Sequence, residues 1–304
     1  VLSMVSSLSK ILKIFRKHKP DVCLAYFLKP IVIATFARFF YPFRLTSLIE
    51  GLGHTFTGNK PAMLRRFAKS FLQFTLRFSD KVICLNVRDK EELFSGKDFG
   101  SSEKVLVLPG IGVDLNHYEF SAMPRSQVNF LFLSRLLKAK GLYDFMDAAS
   151  EMKDRKCKAT FSVYGQVDDS VHGVESEVLD RMHEDGVIRY GGLVHDVREV
   201  IKSAHVLVLP TFYREGLPRC IQEAMAMGRP VITTDFSGCS EIIEEKVNGF
   251  IVPSQNVPSL VDAMEWFCSN REKLKELAIE SRNLAERHFD CERSDEILQK
   301  ILCG

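Results

Sequence analysis

Short runs of branched apolar residues, several closed by glycine or proline, alternate along this chain with stretches of helical character, and no other feature narrows the fold as much. Ala204-His-Val-Leu-Val-Leu-Pro210 is the clearest run: too apolar for a strand with one wet face, it reads as a strand buried on both faces of a parallel sheet. A helix and then Pro230-Val-Ile-Thr-Thr-Asp235, the next strand, follow it. The same rhythm predicts strands near residues 129, 160, 188, 206 and 231, with helices near 141, 174, 196, 218 and 239. Upstream it predicts strands at 21–26, 45–49, 81–86 and near 105, with helices at 8–19, 30–40 and 61–78. Repeated strand–helix–strand units of this kind build α/β layers with crossover helices. A linker is expected at 110–125, and helices at 257–268, 271–287 and 292–302 close the chain.

A chain of 304 residues can bury two cores of ordinary size, and 46% hydrophobic with 26% charged residues is a soluble globular composition. No apolar run approaches the roughly 18 residues of a membrane-spanning helix; the nearest, residues 35–42, is interrupted by Arg38 and Pro42. The eight cysteines are scattered without a C-x2-C pair and the eight histidines lack ligand spacing, so free thiols in a reducing compartment are expected and a metal is not. Charge is uneven: residues 1–120 carry 18 Lys and Arg against 10 Asp and Glu, whereas residues 121–304 carry 23 against 29. A basic first part suits an anionic membrane or a diphosphate-bearing acceptor. Nucleic acid is not expected as a partner, because the basic residues are dispersed and no recognition module accompanies them.

Glu215 follows the 204–210 strand, and Glu223, eight residues on, falls in the helix after it. Pro218 is expected in that helix's first turn, which leaves Glu215-Gly216-Leu217 in the loop at the carboxyl end of a strand, where open α/β sheets bind ligands and helix amino termini attract anions. Two carboxylates suit such a place if they accept hydrogen bonds from ligand hydroxyls while the ligand's phosphates sit elsewhere. A nucleotide sugar meets that demand, one carboxylate taking sugar hydroxyls and the other the ribose diol. Two glutamates near a helix start more often merely favour the helix dipole, and only the context moves the balance. That context includes Arg135 and Lys140, five apart at another strand's carboxyl end, a guanidinium fork and a point charge that could reach one diphosphate.

The 214–230 segment resembles the donor-binding signature of retaining glycosyltransferases of family 4, which have the GT-B fold. Further pieces resemble that family in the same order: Phe130-Leu-Phe-Leu-Ser-Arg-Leu-Leu-Lys-Ala-Lys-Gly141, with Ser134 in place of the usual glycine; Phe161-Ser-Val-Tyr-Gly-Gln166; Val187-Ile-Arg-Tyr-Gly-Gly-Leu-Val194; and Gly238-Cys-Ser-Glu-Ile-Ile243 with Asn248-Gly-Phe250. The likeness is strongest from Val105 to Pro253. It implies two doubly wound Rossmann-like domains with a cleft between them, at 1–118 on the acceptor side and 119–290 on the donor side, and a crossover helix at 291–304 returning to the first. It implies catalytic roles for Glu215, Arg135 and Lys140, with Lys138 near the phosphates. Donor contacts fall to Glu223, Gly216, Leu217, Val194 and Gly165.

Many members carry a histidine near the position of Glu50, so Glu50 departs from the pattern and His54 becomes a local candidate, with Lys29 and Asn86 weaker ones. That departure resembles the branch acting in capsule, O-antigen and lipid-linked glycan assembly. The family's earliest strands have no counterpart here, so the chain reads as an amino-terminally truncated copy. The activity implied is transfer of a hexose or N-acetylhexosamine from a UDP-sugar to a polyprenyl-diphosphate-linked saccharide, without metal or other cofactor, by a cytoplasmic enzyme peripheral to the inner face of the cytoplasmic membrane. A UDP-sugar epimerase or hydrolase of the same fold, or a non-catalytic nucleotide-sugar binder, are the alternatives. The 61–78 helix carries Phe67, Phe71, Phe74 and Phe78 among Arg65, Arg66, Lys69 and Arg77; this is either a core stripe with a solvated basic face, the commoner case, or a helix lying on a membrane.

Overall fold

The computed structural model describes residues 2–53, 56, 61–95, 104–168 and 170–303. They form two compact units: Val1–Ile111 with Arg214–Leu217 and Glu292–Gly304, and Gly112–Tyr213 with Pro218–Cys291.

The first unit alternates α1 (Leu2–His18), β1 (Val22–Tyr26), α2 (Leu28–Arg38), β2 (Arg44–Ile49), α3 (Ala62–Leu76), β3 (Lys81–Cys84), α4 (Val87–Phe94) and β4 (Val105–Val107). Its four strands are parallel in the order β1-β2-β3-β4. The inner strands explain the hydrophobic runs: from Leu45 to Ile49 every residue of β2 is buried, and so are Val82, Ile83 and Cys84 of β3. Helix α4 was not expected, because most of its residues are charged; its start is set by Asn86, whose Oδ1 accepts the Asp89 N–H at 2.7 Å, an N-cap.

The second unit runs through β5 (Val128–Leu133), α5 (Leu142–Asp154), β6 (Ala159–Tyr164), α6 (Ser176–Glu184), β7 (Arg189–Tyr190), α7 (Arg198–Ser203), β8 (Val206–Leu209), α8 (Arg219–Ala226), β9 (Val231–Thr234), β10 (Gly249–Val252), α9 (Val257–Ser269) and α10 (Leu274–His288). Helix α11 (Cys291–Cys303) ends the chain, and its Leu298 and Ile301 pack on Leu48, Ile83, Leu85 and Leu108 of the first unit's core. The six parallel strands lie in the order β10-β9-β8-β5-β6-β7. Strands β8 and β9 are wholly buried: the sequence of β8 is apolar throughout, and β9 adds Thr233 and Thr234, the first of which donates its hydroxyl to Leu209 O at 2.9 Å. Phe130 stacks on Phe161 with centroids 5.6 Å apart, and Phe145 of α5 closes on the edge of Phe161 at 6.1 Å.

Several expectations are corrected. The expected helix near 239 is a short 3₁₀ turn, Ser240–Ile242, and the expected helix at 271–287 begins with another such turn before α10. Pro218 caps α8 from outside, with ψ 125°, instead of opening its first turn. At the first residues of the second unit, Val113 donates its N–H to Phe289 O at 2.7 Å and a Cβ on Gly112 would stand 2.7 Å from Cys291 Cα. Of the eight cysteines, Cys84 and Cys239 are buried and Cys303 is exposed. Among the described residues no helix is long and apolar enough to cross a membrane.

Candidate functional site

In the second sheet the chain runs outward from β5 through β6 to β7, then returns to the other side of β5 as β8 and continues outward. The switch lies between β5 and β8, and their carboxyl ends open the crevice in which sheets of this kind bind ligands. Four sequence candidates follow strands of this sheet. Arg135 is exposed two residues beyond β5, Gly165 follows β6, Val194 sits on the loop after β7, and Glu223 is on α8, the helix after β8.

Lys140 belongs to the same rim. It ends a 3₁₀ turn, Lys138–Lys140, which the β8 exit fastens down: Phe212 N–H and Thr211 Oγ1 both donate to Ala139 O, at 2.9 and 3.0 Å. The Lys140 side chain is buried with its Nζ 5.7 Å from the centre of the Tyr213 ring, a cation–π contact. Gly141 then opens α5 at φ 79°, and a Cβ there would stand 2.1 Å from Pro210 O, so only glycine lets the two strand exits meet. Lys138 faces outward, 3.7 Å from Glu175, as a surface lysine.

Gly165 is equally constrained. Its φ is 149°, and a Cβ would lie 1.7 Å from Ser134 O. Its N–H donates to Gly192 O at 2.9 Å and its carbonyl accepts the Tyr190 hydroxyl at 3.2 Å, so the exits of β5, β6 and β7 are held in one layer. Arg135 has no ion pair among the described residues, and its charge adds to the Ser170 hydrogen bonds that hold the Asp168 carboxyl below its ordinary range.

Glu223 is 8% exposed, and both of its donors converge on one oxygen: Tyr118 Oη at 3.0 Å and Arg219 Nε at 3.2 Å, each to Oε1. Its Oε2 receives no hydrogen bond from the described residues and remains an acceptor for a hydroxyl. Burial, with the Glu223 charge beside it, pushes the Tyr118 phenol up to about 12, so it stays a donor at any ordinary pH. Tyr118 lies in the expected linker and was not singled out; a lone aromatic among Asp, Asn, His and Glu at 114–119 was the available signal. Arg229 was also missed. Fully buried, it donates to the carbonyls of Ile201, Ser121, Met227 and Lys202 and fixes the chain after α8.

Glu215, Gly216 and Leu217 belong with the first unit, as part of Arg214–Leu217. Asn86 Nδ2 donates to Glu215 O at 3.2 Å and to Gly216 O at 3.0 Å, and Arg214 lies 3.8 Å from the buried Asp89 carboxylate. Against the β2 exit the approach is close enough to need glycine on both sides. A Cβ on Gly216 would stand 2.2 Å from Glu50 O, and one on Gly51, at φ 123°, would stand 2.6 Å from Gly216 N. Asn86, a weak sequence candidate, thus becomes the anchor of the Glu215 segment. Glu50 is half-buried, and desolvation raises its pKa. Tyr26, at the β1 exit, is raised by its own burial and by the Glu50 and Asp295 charges, and Phe27 beside it is held at φ 62°, a backbone state uncommon for a side chain of this size. His54 lies outside the described residues. Among those described, no group of three or more His, Cys, Asp and Glu is placed to hold a metal ion.

Comparison with known proteins adds to this geometry. Residues 127–270 match the model of the family described as glycosyl transferases group 1. The N,N'-diacetylbacillosaminyl-diphospho-undecaprenol alpha-1,3-N-acetylgalactosaminyltransferase of Campylobacter jejuni is 27% identical over 262 residues, covering 81% of this chain and 65% of that protein. The capsular polysaccharide biosynthesis glycosyltransferase CapM of Staphylococcus aureus is 24% identical over 304 residues, covering 95% of this chain and 78% of that one. Against relatives from Salmonella typhimurium and Escherichia coli the aligned part spans 54% and 52% of their length, so the chain spans about half to two thirds of several curated relatives. Among solved structures, Anabaena HepE in complex with UDP superposes with a TM-score of 0.81 at 19% identity, covering 97% of this chain and 81% of that one. Sucrose-phosphate synthase from Thermosynechococcus elongatus gives 0.82 at 17% identity, over 97% and 77%. Both are likenesses of fold.

Proposed function

We propose that this chain, a group 1 glycosyltransferase of the family-4-like kind with the GT-B fold, moves a hexose or N-acetylhexosamine from a UDP-sugar to a polyprenyl-diphosphate-linked saccharide, with retention at the anomeric carbon, at the cytoplasmic face of the membrane. The observation that carries the reading is the rim of the β5/β8 switch point. There Glu223, on the helix that follows β8, offers an acceptor oxygen that no described residue bonds, and Arg135 and Lys140 supply two positive charges beyond the end of β5. Carboxylate for hydroxyl and cation for phosphate is the division of labour that a nucleoside diphosphate sugar demands. HepE with UDP, and a relative that acts on an undecaprenyl-diphosphate-linked sugar, support the donor and the acceptor class.

In this reading Glu223 Oε2 accepts a ribose hydroxyl while Tyr118 and Arg219 hold Oε1. The backbone after Gly165 and the Val194 loop take the base. Arg135 and Lys140 stabilise the charge that develops on the diphosphate as the bond from the sugar carbon to its oxygen breaks. Glu215 accepts the sugar's hydroxyls, with Gly216 and Leu217 presenting backbone, and Glu50 and His54 serve the acceptor side. The acceptor hydroxyl bonds the same carbon from the same face, and its proton leaves with the nucleoside diphosphate. No metal or further cofactor enters the scheme, since two fixed cations can supply the electrostatic stabilisation.

The test is a transfer assay with UDP-GlcNAc, UDP-GalNAc and UDP-glucose on a lipid-linked acceptor, using wild type, Arg135→Ala and Glu215→Gln. The reading expects transfer by the wild type and a kcat lower by roughly 10²–10³-fold in Arg135→Ala at saturating donor. UDP release without acceptor would make the protein a hydrolase, and weakened donor binding with no turnover in any variant would make it a binder.

A further inference from the structure

The aromatic stripe of α3 is not core. Its buried side is Leu72, Gln73, Thr75 and Leu76, while Phe67 is 70%, Phe71 45% and Phe74 58% exposed. At the end of α2, Phe36 (48%), Phe39 (64%) and Phe40 (64%) are exposed as well. The two sets are continuous: Phe39 meets Phe78 edge-on with centroids 5.4 Å apart, and Phe78 meets Phe74 at 5.3 Å. A patch of this size on the surface of one unit marks a face that something covers.

The charges around it select the occupant. Helix α3 contains no acidic residue, and Arg65 and Arg66 on its first turns have no ion pair among the described residues. Lys69 reaches Glu92 at 3.5 Å, and Arg77 follows the helix. A second copy of the chain would set this face against itself across a twofold axis and bring cation against cation. An anionic bilayer instead offers phosphates for the arginines and an apolar interior for the rings, the arrangement that interfacial helices use.

We propose that the Phe36–Phe40 and Phe67–Phe74 face of α2 and α3 inserts into the headgroup layer of an anionic lipid bilayer, with Arg65, Arg66 and Arg77 on the lipid phosphates. This deepens the reading of a lipid-linked acceptor, and the two can fail separately. The experiment is co-sedimentation with phosphatidylcholine vesicles with and without phosphatidylglycerol, for wild type, Phe67→Gln/Phe71→Gln/Phe74→Gln and Arg65→Glu/Arg66→Glu. These side chains are exposed, so thermal midpoints near that of the wild type check that the fold is kept. The wild type is expected on the anionic vesicles, the aromatic variant bound at least about tenfold more weakly, and the arginine variant without preference for phosphatidylglycerol.

A wild type left in the supernatant, or an aromatic variant that binds equally well, overturns the proposal. So does a wild-type dimer that the aromatic variant abolishes while neither binds vesicles, which would give the face to a second copy. Transfer to a short-chain, water-soluble acceptor is expected to be unchanged in the aromatic variant. Vesicle binding without transfer to any acceptor would count against the glycosyltransferase reading alone.

Discussion

Glu223 takes both of its hydrogen bonds on Oε1, and the direction of Oε2 therefore depends on Tyr118 and Arg219. Tyr118→Phe removes one donor at nearly constant volume, which costs about 0.5–1.5 kcal/mol of positioning. Donor KM is expected to rise roughly 3- to 10-fold with kcat nearly unchanged, read in steady-state kinetics with varied UDP-sugar. Because the phenol titrates near 12, the wild-type effect should be flat from acid to mildly basic pH. Gly165 makes a harsher case: any Cβ there collides with Ser134 O at 1.7 Å while φ sits at 149°. Gly165→Ala should lower stability by about 1–3 kcal/mol and weaken UDP binding together, as thermal unfolding and calorimetry would register.

At the scale of elements, the strands were legible because burial runs through them without alternation and branched or aromatic residues dominate them: β8 is Val-Leu-Val-Leu, β9 is Val-Ile-Thr-Thr with its hydroxyls buried, and β5 breaks its apolar run only at Asn129. Helix α4 was not legible: Val-Arg-Asp-Lys-Glu-Glu-Leu-Phe carries little apolar periodicity, and what starts it is the Asn86 cap. Nor could the sequence assign Arg214–Leu217 to the first unit, since the bond from Asn86 to Gly216 O spans 130 positions. The face of α3 is a third instance, because a phenylalanine stripe reads alike whether packing covers it or leaves it in water.

Asn86→Ala should therefore destabilise by about 2–3 kcal/mol, one part from the cap and one from the carbonyls it deserts, measured as a shift in urea midpoint. Strand β8 adds a pH dependence. His205 precedes it, 1% exposed, accepting the Asn129 N–H on Nδ1 at 3.1 Å while Nε2 faces Pro124 O, so the ring is neutral with its proton on Nε2. Burial lowers its pKa from 6.5 to about 4. As pH falls through that interval the unfolded chain binds a proton that the folded chain refuses, so this contribution is complete above about 6.5 and declines towards 4. Urea midpoints across the interval should fall less steeply in His205→Gln than in the wild type.

Over the whole molecule, charge and chemistry divide with the sheets. Residues 1–120 carry 18 Lys and Arg against 10 Asp and Glu and include the aromatic face of α2 and α3, while the second unit holds Arg135, Lys140 and Glu223 at a switch point. The resemblance read from the sequence rested on the segments that form those strand exits, and they proved to be joined by close approaches such as Gly141 to Pro210 and Gly165 to Ser134. Nucleotide recognition by that rim is the claim on which the rest depends. Titration calorimetry of UDP into the wild type and into Arg135→Ala tests it directly: one site per chain, weakened about tenfold or more by the substitution, is the result expected. Absence of UDP binding by the wild type, or equal affinity in the two proteins, would contradict it.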